Sequence, residues 1–262
     1  MRLNLRGVVC QCVLGLGVAA TLVTSASDQG GNIRSVTFYT VKLDRIGDFY
    51  AEITAYNALK AKGGSTEYAS VWASLTGPRV FALVFYSNKW ADLDASADPK
   101  MKEQATDLAR ISMRITNCTE SYHRVIEKVN PDFSLLDSGK MPTMIRVLVT
   151  QVRPDKLKDY LELAKNEIVP GIKKSGLKDY SIAQGRFAEP NTVITSVAGF
   201  NNWADLDAGL GLEKGIGKEA YQRFLGKLTP LIVSSQFDVY RFRLALSYLP
   251  PGHREMRTEE AG

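Results

Sequence analysis

The chain has 262 residues, 33 Lys and Arg against 28 Asp and Glu, and a net charge of +5. With 45% hydrophobic residues, 3 Cys and 2 His, it is neither a disordered chain nor a disulfide-stapled miniprotein, and it offers little material for a zinc or iron–sulfur site. The length allows one large domain or two of ordinary size.

Residues 1–27 have the three parts of an export signal. Arg2 and Arg6 precede an uncharged run over 7–23, and the small residues Thr24, Ser25, Ala26 and Ser27 follow. Cleavage after Ala26 or Ser27 fits this pattern. The alternative is a retained anchor, but the run includes Gln11 and three glycines and is short for a membrane span. Cys10 and Cys12 stand too early for a lipoprotein signal. The expectation is an exported protein, periplasmic or extracellular. Without the signal, 31 basic residues face 28 acidic ones, and Cys118 is the one remaining cysteine, so no internal disulfide is expected. The remaining charge forms no Lys/Arg block, so no nucleic-acid partner is expected. No later segment is apolar enough to span a membrane.

An internal duplication organises the rest. Trp90-Ala-Asp-Leu-Asp-Ala95 recurs as Trp203-Ala-Asp-Leu-Asp-Ala208, an offset of 113. Upstream, residues 41–49 match 152–160 at offset 111, and 64–68 match 176–180 at offset 112, which aligns Tyr68 with Tyr180. The expected division is a first unit over 32–138, a second over 141–250 and a flexible tail over 251–262.

In chain order, the first unit reads as a strand over 36–42, a helix over 44–60, strands over 67–75 and 80–86, a helix over 99–115 and a strand over 122–129. The second begins with an alternating strand over 145–152. A helix starts at Pro154-Asp155, with Leu157, Tyr160, Leu161, Ala164 and Ile168 at the 3.6-residue period, and Pro170-Gly171 and Gly176 end it. Strands over 178–187 and 192–200 follow. A helical stretch opens at Trp203, is interrupted by Gly209 and Gly211 and resumes to 228, and the last strand covers 233–243. Each unit is thus β-α-β-β-α-β, an antiparallel sheet with helices on one face and the other face bare.

Alternation assigns residues to that bare face. Tyr68, Ser70, Trp72 and Ser74 are expected there, with Val71 and Ala73 under the helices. Tyr180, Ile182, Gln184 and Arg186 are placed on the matching face of the second unit, and Ser35, Thr37, Tyr39 and Arg146 on the first strands. The result is an aromatic and polar face, unusual for a plain core.

The element order, the helix end Glu167-Ile-Val-Pro-Gly171 before Gly176, and the corners Tyr86-Ser-Asn-Lys-Trp90 and Phe200-Asn-Asn-Trp203 resemble the dimeric α/β-barrel superfamily. The likeness is to its antibiotic-biosynthesis-monooxygenase-like and NIPSNAP-like members, and it covers both units. The resemblance implies an α+β fold in which two ferredoxin-like units pair sheet to sheet as a pseudo-dimer within one chain. That superfamily hosts cofactor-free oxygenases, isomerases, haem-handling enzymes and proteins without known activity, so fold alone does not settle function. Its haem-binding members use a histidine in the second unit, where this sequence has none, and no cofactor is expected.

The candidate site residues follow from the expected barrel interior. Tyr39, Ser70, Trp72, Ser74, Arg146, Tyr180 and Gln184 would line a ligand cavity, or else form a satisfied polar interface between the sheets. Arg186 and Tyr68 would stabilise a substrate anion. His123, alternating with Val125 and Glu127, is the one histidine within the units and the obvious general base, against the plainer reading of a strand-edge histidine. Trp90 and Trp203 would stand at the cavity mouth or pack the corners, with Asp92 and Asp205 serving the first helical turn. Both copies keep that motif, which favours the structural role. The functional expectation is an exported protein that binds a planar or apolar organic molecule, with oxygenase- or isomerase-like chemistry as a further step. The alternative is a non-catalytic envelope protein acting in assembly or partner binding.

Overall fold

A computed structural model describes residues 32–93, 99–136, 141–187, 189–207 and 211–251. The export signal expected at 1–27 and all but the first residue of the expected tail lie outside the described residues, as does His253. The first half contains β1 (Ile33–Val41), α1 (Ile46–Lys62), β2 (Ser70–Ser74), β3 (Val80–Ser87), α2 (Ala105–Asn117) and β4 (Thr119–Leu136). The second contains β5 (Met144–Val152), α3 (Leu157–Leu163), a π-helical turn (Ala164–Ile168), α4 (Val169–Ser175), β6 (Asp179–Phe187), β7 (Val193–Phe200), the short α5 (Ala204–Asp207) and α6 (Leu212–Ile216), α7 (Lys218–Leu228) and β8 (Ile232–Phe242).

The eight strands close into one barrel in the order β1-β3-β2-β8-β5-β7-β6-β4. Within each half the last strand lies beside the first, as in a ferredoxin-like unit. The halves join where β2 pairs with β8 and β4 pairs with β6, both antiparallel. The fold is therefore α+β, two ferredoxin-like units forming one barrel within a single chain. Among the described residues, no helix is long and apolar enough to cross a membrane.

Helices cover the outside because their apolar residues fall on one stripe. Phe49 and Ile53 of α1 and Ile111 and Ile115 of α2, each pair one turn apart, pack with Val41, Val71, Phe81 and Leu83. In the second half Tyr160, Ala164, Ile168 and Ile172 pack with Val152, Ile182, Ile194 and Ala198. A third cluster, including Val36, Trp72, Val84, Val125 and Tyr240, fills part of the barrel interior.

Three details differ from the sequence-based expectation. Pro170 does not end its helix. The π-helical turn precedes it, so the missing proline N–H falls in the first turn of α4, and the helix continues to Ser175 with Gly176 at φ +80°. A further break falls at Gly217, φ +83°, between α6 and α7, and inside α6 a Cβ on Gly215 would lie 1.8 Å from the Gly171 carbonyl oxygen, so α6 crosses α4 at backbone contact. Strand β4 runs seven residues beyond the expected end because β6 of the other half supplies its partner. Pro131 sits where that pairing is irregular, between Asn130 and Leu135.

The fourth difference bears on the site. On β2 the expected faces hold, with Ser70 and Trp72 inside the barrel and Val71 and Ala73 under the helices. On β1, β5 and β6 they are inverted. Arg34, Val36 and Phe38, then Ile145, Val147 and Val149, then Ser181, face the interior. Ser35, Thr37, Tyr39, Arg146, Ile182, Gln184 and Arg186 alternate to the outside, as does Tyr180, which belongs to the helix-side core. These strands are covered on both faces, so alternation separates two faces without saying which is inner.

Candidate binding site

The barrel encloses a cavity of ≈ 310 Å³, within the range of small-molecule pockets. Its wall is largely aliphatic: Val36, Val84 and Val125 come from the first half, and Ile145, Val147 and Val197 from the second. The strand pairings set these in level layers. Val36 lies opposite Val84 and Val125, and Val147 opposite Val197.

One layer along stands a buried polar group. Arg34 on β1 and Glu127 on β4 are cross-strand partners, and Arg34 Nε donates to Glu127 Oε2 at 2.7 Å. The second half completes it: Arg34 Nη1 donates to Ser181 Oγ at 3.3 Å, and Thr195 Oγ1 donates to Glu127 Oε1. Burial opposes the guanidinium charge, yet Glu127 and Tyr86 outweigh it and hold the Arg34 pKa above its ordinary value. Arg34 and Glu127 therefore spend their charges on each other. The equivalent positions of the second half are Ile145 and Tyr240, themselves partners across β5 and β8, so the polar pole exists once although the fold is duplicated.

The ends of β1 and β5 lie at the same end of the barrel, because every neighbouring pair in the ring is antiparallel. There Val149 is 41% exposed and His123 is exposed, which makes this the open end. The His123 ring stacks on Phe38, with centroids 5.0 Å apart and planes at 20°. Glu127 lies four residues further along the same strand, roughly 13 Å away at the usual rise, so it does not orient the imidazole. At the other end Met141 and Pro142, between the halves, line the cavity.

Of the candidate residues, the cavity gathers Ser70, Trp72 and His123, and Tyr180 touches it from the helix-side core. The others lie elsewhere. Tyr68 precedes β2 and stacks on Tyr248 at 5.4 Å. Tyr39 packs over Phe49 on the helix side, where burial first, then Tyr56 and Tyr122, raise its pKa. Ser74 Oγ donates to the Pro78 carbonyl at 2.6 Å and closes the β2–β3 turn. Gln184 Nε2 donates to the Asn191 carbonyl at 2.6 Å and closes the β6–β7 turn. Arg146 reaches toward Gly211 on the outside, and Arg186 is exposed.

Trp90 and Trp203, 41% and 48% exposed, are outside the cavity wall. Trp90 meets Phe187 edge-on at 5.6 Å, and Trp203 meets Phe200 at 6.1 Å. The acids of their shared motif serve the corner, as the structural reading expects. Asp92 Oδ2 accepts from the Asn88 and Lys89 N–H groups, and Asp205 Oδ2 from those of Asn201 and Asn202. In the second copy Asn202 Oδ1 also accepts from Asp205 N–H at 3.1 Å, a reciprocal cap that Lys89 cannot make in the first.

Sequence reasoning missed Arg34, Ser181 and Thr195, and met Glu127 only as a neighbour of His123. The available signal was a charge within each of two strand runs, at Arg34 and Glu127. A buried strand charge requires a partner.

No family model and no curated protein sequence matches the chain. Solved structures do. A candidate monooxygenase from Fusobacterium nucleatum subsp. nucleatum ATCC 25586 is 13% identical over 80% of this chain and 91% of its own, with a TM-score of 0.58. A candidate monooxygenase from Lactobacillus acidophilus NCFM is 10% identical over 80% and 93%, with a TM-score of 0.52. An anthrone oxidase-like protein is 12% identical over 85% and 94%, with a TM-score of 0.51. At these identities the likeness is one of fold, and that fold is the dimeric α/β-barrel.

Proposed function

We propose that this chain, with the dimeric α/β-barrel fold, is an exported protein that binds a small, largely apolar organic molecule inside its barrel. The supporting observation is the ≈ 310 Å³ cavity, walled by aliphatic side chains from both halves and carrying one self-neutralised polar pole. Tight packing would have left no such space in a purely structural barrel. Naphthalene binding to the protein lacking residues 1–27, followed by ligand-detected NMR, tests the reading. Binding should be saturable and should disappear in Val147→Trp with the fold intact by circular dichroism. Binding unchanged in that variant places the probe outside the barrel and refutes the reading. The export half rests on the charge and apolar pattern of residues 1–27. Fractionation of cells expressing the full chain should find it outside the cytoplasm, beginning after Ala26 or Ser27.

A second reading is catalysis, oxygenase- or isomerase-like, on the bound molecule. It is favoured by the descriptions of two fold neighbours as candidate monooxygenases and by the presence of His123 on the cavity wall. Product formation from phenolic compounds, lost in His123→Ala, supports it. Binding without product leaves the first reading in place.

A further inference from the structure

We infer that the ligand is uncharged, presents a hydrogen-bond acceptor such as a ketone oxygen, and takes its hydrogen bond from Ser70 or Ser181, buried hydroxyls supplied one by each half. This rests on the reading that the cavity takes a ligand. The two serines occupy equivalent places: Ser70 on β2 pairs with Val84, Ser181 on β6 pairs with Val197, and those valines stand at the 113-residue offset of the repeated tryptophans. β2 and β6 are four steps apart in the eight-stranded ring, so the two hydroxyls enter the cavity from opposite walls.

The hydrogen bonds decide what they can offer. Ser70 Oγ already accepts from Trp72 Nε1 at 3.0 Å, and Ser181 Oγ from Arg34 Nη1. Both residues are buried, and among the described residues neither hydroxyl hydrogen has an acceptor. Each serine is therefore a donor awaiting an acceptor on the ligand, since a buried donor left unpaired is unfavourable.

The surrounding charges exclude ions. An anion finds Arg34 already paired and meets the carboxylates of Glu127, Asp179 and Glu189 on the wall. A cation finds Glu127 occupied by Arg34 and Thr195. The other two carboxylates are half-buried at the two ends of β6, where water competes for them.

Four probes of one skeleton test this: naphthalene, acetylnaphthalene, naphthoate and naphthylmethylammonium. The wild-type protein should bind acetylnaphthalene about tenfold more tightly than naphthalene, the margin of one good hydrogen bond, and more tightly than either ion. Ser70→Ala or Ser181→Ala, whichever removes the hydroxyl that holds the ketone, should abolish most of that margin while naphthalene binds as before, and a margin that survives in the double variant overturns the inference. Equal affinity for naphthalene and acetylnaphthalene, or tighter binding of either ion, overturns the inference and leaves barrel binding intact. If no probe binds, barrel binding itself fails and the inference fails with it. The wild-type comparison stands even if a serine variant does not fold.

Discussion

Arg34 Nε and Glu127 Oε2 meet at 2.7 Å across β1 and β4, with their side chains 4% and 5% exposed. Neither charge reaches water, and both are completed by residues of the other half. Breaking such a pair leaves a buried charge without a partner. Glu127→Ala is expected to cost about 3–5 kcal/mol in urea unfolding. Arg34→Met with Glu127→Leu should recover most of that loss, because no charge is then left unpaired. A cost below about 1 kcal/mol for the single change would mean that water enters and solvates Arg34.

Alkaline pH should weaken the fold. Burial, with a smaller contribution from Asp238, pushes the Tyr240 pKa up to about 12, and burial likewise raises Tyr160 and Tyr180. An unfolded tyrosine loses its proton near pH 10. Between that pH and the folded value the unfolded chain binds fewer protons, so stability falls as pH rises. Below about pH 10 these tyrosines are neutral in both states and contribute no pH dependence. Urea midpoints at pH 9 and 11 should show the loss, and Tyr240→Phe should reduce it by about 1.3 kcal/mol.

The corner acids are caps, and their removal should behave as cap loss. Asp205→Ala is expected to cost about 1 kcal/mol. Asp92→Ala should cost less, because the first copy lacks the reciprocal bond from the residue before its tryptophan. Trp203→Ala should leave probe affinity unchanged, since the indole is outside the cavity wall. A changed affinity would put that ring in the ligand's path.

The close crossing of α4 and α6 predicts an intolerant glycine. A Cβ at Gly215 would lie 1.8 Å from the Gly171 carbonyl oxygen and 3.1 Å from the Ser175 nitrogen, so backbone must move. Gly215→Ala is expected to lower thermal stability by several degrees, whereas Gly226→Ala, where a Cβ meets nothing within 4 Å, should be neutral or stabilising.

The repeat made the fold legible. Two copies of Trp-Ala-Asp-Leu-Asp-Ala at one spacing fixed the duplication, and strand and helix periods then gave each unit its element order. The interior was less legible. Aligning Tyr180 with Tyr68 slides β6 by one residue, whereas the barrel makes Ser181 the counterpart of Ser70, and a one-residue slip exchanges the faces of a strand. On β1 nothing local distinguishes Ser35 and Thr37 from Arg34 and Val36, because both sets are covered, one by helices and one by the other half. Nor does anything local mark Arg34 as buried: its partner Glu127 lies 93 residues away and it also bonds Ser181 of the second unit. Such pairings exist only once the barrel has closed.

The most direct measurement is a crystal structure of the protein lacking residues 1–27 soaked with acetylnaphthalene. The expected result is the ring system between Val36 and Val84 on one side and Val147 and Val197 on the other, with the ketone oxygen within hydrogen-bonding distance of Ser70 or Ser181. A barrel whose interior is closed by its own side chains, with the probe on the outer surface or absent, would contradict the account.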